Sequence, residues 1–245
     1  WFAYLWFTPI PAPYQYQLIS EGDSKKFPQM DLDAWPDLKL SQYKVQAEGI
    51  DKPIAELIVA QQGDGPRVLT YWKNSTNEIL YNLDRKPSEL SALAAVIGKH
   101  APKDALILSW WDTSRQIKLL TGHDTLFTSH LNEPLMVPVA WLEQSKAIMA
   151  YENQFWESSA NSKEQEQFKR FSQALAASAE EGVAQLRELI GSNREAYLIV
   201  HVTDLYKLGL MYPDKIGVAY QNFPLTGNMH GMINHMKVQL KENDF

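Results

Sequence analysis

The sequence predicts an α/β fold, with α+β as the open alternative, and three observations carry that prediction. Short alternating apolar segments broken by turn residues run from Leu38 to Asp84, helical spacing takes over near Pro87, and two later apolar runs each pass directly into a helix signal. The expected architecture is an N-terminal antiparallel meander followed by strand–helix units, preceded by the end of a membrane helix. With 245 residues, 45% hydrophobic and 21% charged, the chain is long enough to bury a sizeable core.

Residues 1–9 open with the uncharged run WFAYLWF. A bilayer span takes about 20 apolar residues, so this stretch alone does not cross. It fits the last turns of a membrane anchor, because aromatic side chains collect at the lipid–water interface and the prolines that follow force the chain out of helix. An N-terminal element packed on its own domain is the alternative. The first Lys or Arg is Lys25, and the positive-inside rule then puts the rest of the chain outside the cytoplasm. Residues 10–36, with PIPAP, FPQ and WPD, read as a Pro-rich stalk. Residues 37–245 read as a single α/β domain.

LKLSQYKVQAEG places apolar residues at Leu38, Leu40, Tyr43, Val45 and Ala47, and its alternation breaks at Ser41-Gln42, which predicts a strand with a bulge or bend. AELIVAQQ, RVLTYWKN and EILYNLD follow, separated by the turn signals GDGP and NSTN. These segments predict the meander. KPSELSALAAVIGKHAPKD then carries a helical stripe of Leu90, Leu93, Ala94 and Ile97, with Pro87 in the first turn and Gly98 and Pro102 near the exit.

ALILSWW predicts a strand covered on both faces, with Asp112 as N-cap of the helix TSRQIKLL and Gly122 as its stop. LMVPVAWL predicts an edge strand, since Pro138 interrupts it. Ser158 to Ile190 predicts the longest helix, with Phe168, Phe171, Leu175, Ala179, Leu186 and Ile190 on its apolar face and Gly191 closing it. AYLIVHVTDLYKLGLMYP predicts a strand from Ala196 to Val202, then a helix capped by Asp204 that stops before Pro213. IGVAYQNFP predicts a last strand and TGNMHGMINHMKVQLKENDF a terminal helix.

Composition removes several function classes. A net charge of −6 offers no basic surplus for phosphates, so no nucleic acid partner is expected. The chain has no cysteine, which excludes thiolate nucleophiles, Cys-ligated metals and covalent c-type haem attachment. No cofactor is expected. There is no Gly-x-Ser-x-Gly elbow, phosphate loop or dinucleotide fingerprint.

Three constellations remain. Trp110, Trp111, Asp112 and Arg115 form the candidate binding set, because ligands of open α/β sheets gather at the carboxyl ends of strands. An enzyme built there would draw its catalytic groups from Asp112, Arg115, His123 and His201. Against this stands a plainer reading: an Asp before a helix is a cap worth about 1 kcal/mol, and paired Trp fills core or interface. His123 and Asp124 are a turn pair that could also act as general base. In NMHGMINHMK, His230, His235 and Met232 are the candidate soft-metal or haem ligands. His residues five apart are about 140° apart on a helix, and Met at helical spacing more often packs, so no metal site is expected.

Trp110-Trp111-Asp112 resembles the Trp-Trp-Asp-Tyr-Gly signature of oligosaccharyltransferase catalytic subunits, in the extracytoplasmic domain that recognises the acceptor sequon. Thr113 and Ser114 stand where that signature has Tyr and Gly, and the likeness covers one strand and one helix. It implies shared domain ancestry, and a glycosyltransferase-like ectodomain is one alternative function.

Over most of its length, through SWWDTSRQIKLLTGHDTLF and VAYQNFPLTGNMHGMINHMK, the chain resembles the HaoB family, hydroxylamine oxidation proteins encoded beside hydroxylamine oxidoreductase. That resemblance implies a single-pass protein of the bacterial inner membrane facing the periplasm. Its implied partners are hydroxylamine oxidoreductase and c-type cytochromes, and its implied role is accessory rather than catalytic. A metal or haem chaperone working through His230, His235 and Met232 is the further alternative.

Overall fold

A computed structural model describes residues 11–75, 86–132, 137–157, 162–191 and 194–217. Four strands, β1 (Tyr14–Gly22), β2 (Leu38–Ala47), β3 (Ala55–Gln62) and β4 (Val68–Asn74), form an antiparallel sheet in sequence order. Helix α1 (Glu89–His100) leads to β5 (Leu106–Leu108), α2 (Trp111–Thr121) and β6 (Asp124–Thr125). Helices α3 (Ser145–Phe155), α4 (Ser162–Leu175) and α5 (Ala179–Ile190) follow, then β7 (Ala196–Leu198) and α6 (Val202–Met211). β5 lies between β6 and β7 in a small parallel sheet. The architecture is therefore mixed α/β, an antiparallel half joined to a parallel half.

The break in alternation at Ser41-Gln42 has a different cause from the bulge expected there. β2 pairs with β3 without interruption, and the register shift lies on β1, between Leu18 and Ser20. What changes along β2 is the face that is covered. Leu38, Leu40, Ile58 and Ala60 face a core built with Leu90 and Ala94 of α1 and Leu120 of α2. Val45, Ala55, Leu57 and Val59 point the other way, onto Trp156 at the end of α3. Successive side chains of a strand alternate between faces, so burying one face at one end and the other face at the other end shifts the apolar parity without adding a residue.

Of the segment 10–36 expected as a stalk, the described residues 11–36 fold onto the domain. Tyr14–Gly22 is the edge strand β1, and the short 3-10 turns Ser24–Lys26 and Pro28–Met30 carry Phe27, Met30 and Leu32 into the core. LMVPVAWL is not a strand where it is described. Pro138 leads into a 3-10 helix, Val139–Gln144, that buries none of its residues. The expected long helix from Ser158 to Ile190 is two, broken at Ala176–Ser178. Ser178 caps α5 by accepting from the Glu181 amide and hydrogen-bonding the Glu181 carboxylate at 3.0 Å, and the S-x-x-E spacing announced that start. Gly182 lets the two helices fold against each other, since a Cβ there would stand 2.5 Å from the Ala174 carbonyl oxygen.

EILYNLD, IGVAYQNFP beyond Gly217, and the terminal helix with His230, Met232 and His235 lie outside the described residues, as does WFAYLWF. Among the described residues no helix is long and apolar enough to cross a membrane.

Candidate functional site

β5 is buried on both faces, as its unbroken apolar run requires. Leu106 and Leu108 meet Phe168, Phe171 and Leu208, while Ile107 meets Ile97 and Ile117. Immediately past β5 the chain turns into α2. Ser109 and Ser114 brace that turn, their hydroxyls 2.8 Å apart and the Ser114 hydroxyl donating to the Ser109 carbonyl at 3.1 Å. Trp110 is the N-cap residue by backbone geometry and its side chain is buried edge-on against Phe168.

Asp112 is thus the second residue of the helix rather than its cap. One carboxylate oxygen accepts the Thr113 amide at 2.6 Å, inside the first turn, where a negative charge suits the helix dipole. Its other oxygen accepts from the Lys207 ammonium at 3.2 Å. Lys207, on α6, also stands 3.6 Å from Asp204 and 5.0 Å from the centroid of the Trp110 ring.

The β7–α6 junction mirrors this one. His201, not Asp204, is the N-cap: its Nδ1 accepts the Thr203 amide at 3.2 Å, and Asp204 accepts the His201 amide at 2.8 Å, closing a capping box. His201 Nε2 lies 3.7 Å from Glu89. β5 and β7 are parallel neighbours, and their helices leave to opposite faces, α2 toward Ile97 and α6 toward Phe168. Their carboxyl ends therefore form a topological switch point, where open α/β sheets take ligands. Here the crevice is filled by the chain's own charges, with Lys207 between Asp112 and Asp204.

Arg115 does not join that crevice. Its guanidinium donates to the Arg67 carbonyl at 2.7 Å and to Nδ1 of His130 at 3.0 Å, while Gln116 donates to the Leu69 carbonyl at 2.7 Å. Both carbonyls belong to β4 or its approach, the outermost strand of the antiparallel sheet among the described residues, so α2 satisfies acceptors that β3 does not pair. Burial lowers the Arg115 pKa to about 10. Burial and the adjacent Arg115 charge push His130 down to about 3, which leaves Nδ1 free to accept. The His130 ring stacks on Trp156 at 4.7 Å and meets Trp111 edge-on at 4.6 Å. Trp111 and Arg115 thus serve the joint between the two sheets.

His123 sits past the far end of α2, eleven residues or about 16 Å along the helix from Asp112. It is buried, and neither ring nitrogen has a hydrogen-bond partner. Its neighbour Asp124 turns outward to Lys118 and Arg194, whose hydrogen bonds hold its carboxyl below the usual range. The four catalytic candidates therefore divide among three places: Asp112 and His201 near the crevice, Arg115 at the β4 edge, and His123 at the opposite end of α2. Among the described residues no group of His, Asp and Glu is arranged to hold a metal.

Sequence reasoning missed Lys207, His130 and Glu152. Glu152 is a buried carboxylate under β1. Tyr14 and Tyr16 donate their hydroxyls to one of its oxygens, the latter at 2.8 Å, and Trp156 donates to the other at 2.8 Å. Burial first, then the Glu152 charge, raises both tyrosine pKa values far above the ordinary phenol. The one local signal was the Glu152–Trp156 spacing of four, which puts both on one helical face.

The family profile described as HaoA-associated protein HaoB matches residues 1–245, the whole chain. No curated protein and no solved structure matches it, so the likeness to the oligosaccharyltransferase signature rests on the Trp-Trp-Asp tripeptide alone.

Proposed function

Because the chain belongs over its whole length to the family of HaoA-associated HaoB proteins, we propose that it is a membrane-tethered periplasmic accessory protein. It binds hydroxylamine oxidoreductase and, with it, c-type cytochromes that accept electrons. The family match is the observation that carries this reading, and it ties the chain to HaoA and nitrification by name. The tether is supported by WFAYLWF, which precedes β1 by a short Pro-rich connection. A binding role is further supported by the division of Asp112, Arg115, His123 and His201 among three separate environments, each occupied by helix capping, edge satisfaction or burial. With no cysteine to attach haem covalently, the chain organises electron carriers rather than being a c-type cytochrome itself.

Detergent-solubilised native membranes provide the test. Affinity-purified protein should bring hydroxylamine oxidoreductase with it in a fixed ratio that survives gel filtration. Recovery of the protein alone, from membranes that contain the enzyme, overturns the proposal.

A further inference from the structure

Where it is described, the apolar run LMVPVAWL forms neither a strand nor part of a core. Its described part, residues 137–142, enters the 3-10 helix Val139–Gln144, in which nothing is buried. Val139 is 84% exposed, more than any other large hydrophobic residue described, and Leu142 is 55% exposed. Trp141 between them is half-buried, its ring stacked on Tyr14 at 5.6 Å. Eight consecutive residues, Leu135 to Leu142, carry no charge and no polar side chain. Such a patch left in water marks a surface that something covers.

Its position says what does. Tyr14, whose ring stacks on Trp141, is the first residue of β1 and follows WFAYLWF closely in the sequence. Six residues separate Phe7 from Tyr14, seven steps that span at most about 25 Å when fully extended, and prolines stand at 9, 11 and 13. The exposed face thus lies beside the strand that directly follows WFAYLWF and its Pro-rich connection in the sequence. A Trp flanked by aliphatic side chains is also the composition that settles at the boundary between headgroups and acyl chains.

We propose that the Val139–Gln144 turn is a membrane-contact site: Val139 and Leu142 insert into the headgroup–acyl boundary of the bilayer that holds the anchor, with Trp141 at headgroup level. This rests on the tethered reading of the N-terminus. The site gives the domain a second, non-covalent hold on the lipid and fixes which face it turns toward a partner.

The chain contains no cysteine, so Val139→Cys, Leu142→Cys and, as control on α1, Val96→Cys each create one labelling site at an exposed position. The full chain carrying an environment-sensitive fluorophore is reconstituted into nanodiscs of phosphatidylethanolamine and phosphatidylglycerol. Labels at 139 and 142 should be quenched several-fold more by doxyl-labelled lipid than the label at 96, and several-fold less by aqueous iodide. Equal iodide quenching at all three positions, with the chain retained on the discs, overturns the contact site and leaves the tether standing. Protection from iodide without quenching by lipid also overturns it, in favour of a protein covering the patch. A chain that does not stay with the discs contradicts the tether and the contact site together.

Discussion

Glu152 and Asp112 are both carboxylates at the joints of this fold, yet they are held by opposite means. Glu152 sits in the antiparallel half, buried, and is bound by three neutral donors, Tyr14, Tyr16 and Trp156. Asp112 sits in the parallel half, its side chain 23% exposed, and is bound by a lysine and a helix amide. A charge removed from water needs several aligned donors, so the first arrangement ties β1 to α3 at one shared atom group. A partly hydrated ion pair exchanges water for protein at little net gain. Depth of burial, more than chemical type, decides which acid the fold depends on.

The sharpest way to break that comparison is Glu152→Ala, which leaves the buried Trp156 indole and two half-buried tyrosine hydroxyls without their acceptor. It should cost about 4 kcal/mol or more of stability, read as a lower urea midpoint. A cost under about 1 kcal/mol would make the two acids equivalent. The joint between the halves is tested next by pH. His130 has its pKa lowered from 6.5 to about 3 in the folded protein, so the unfolded chain takes up the proton first. Its contribution is complete above pH 6.5 and is lost as the pH falls through that value toward 3. Between pH 7 and pH 4 this amounts to about 3 kcal/mol, and His130→Phe should flatten that part of the stability–pH curve. The smallest effect belongs to Asp112→Asn, which keeps the shape and removes the charge. Lys207 retains Asp204, and the loss should stay near 1 kcal/mol or below by thermal denaturation.

The two halves also differ in how far the sequence exposed them. β2, β3, β4, α1 and the β5–α2 unit were legible because each buries a face whose period is written in consecutive residues. β1 was hidden by the prolines before it and by its polar outer face, and its neighbours Phe27, Met30 and Leu32 are spaced for turns rather than for a regular element. Residues 137–142 of LMVPVAWL were misread because apolar composition looks the same for a buried strand and for an exposed apolar turn. At the candidate site, Trp110, Asp112 and His201 were placed at the ends of the correct strands, but both caps were assigned to the acid instead of the residue before the first turn. Lys207, His130 and Glu152 act through partners 95, 15 and 138 residues away, and no local pattern reports such pairings.

Trp110-Trp111-Asp112 is a joint of the fold, and in the proposed function the protein acts by binding. The most direct test is to reconstitute wild type and Asp112→Asn in membranes and measure capture of hydroxylamine oxidoreductase by each. Equal capture by both is the expected result. Failure of the wild type to capture the enzyme, or capture that vanishes with the Asp112 charge while the fold persists, would contradict it.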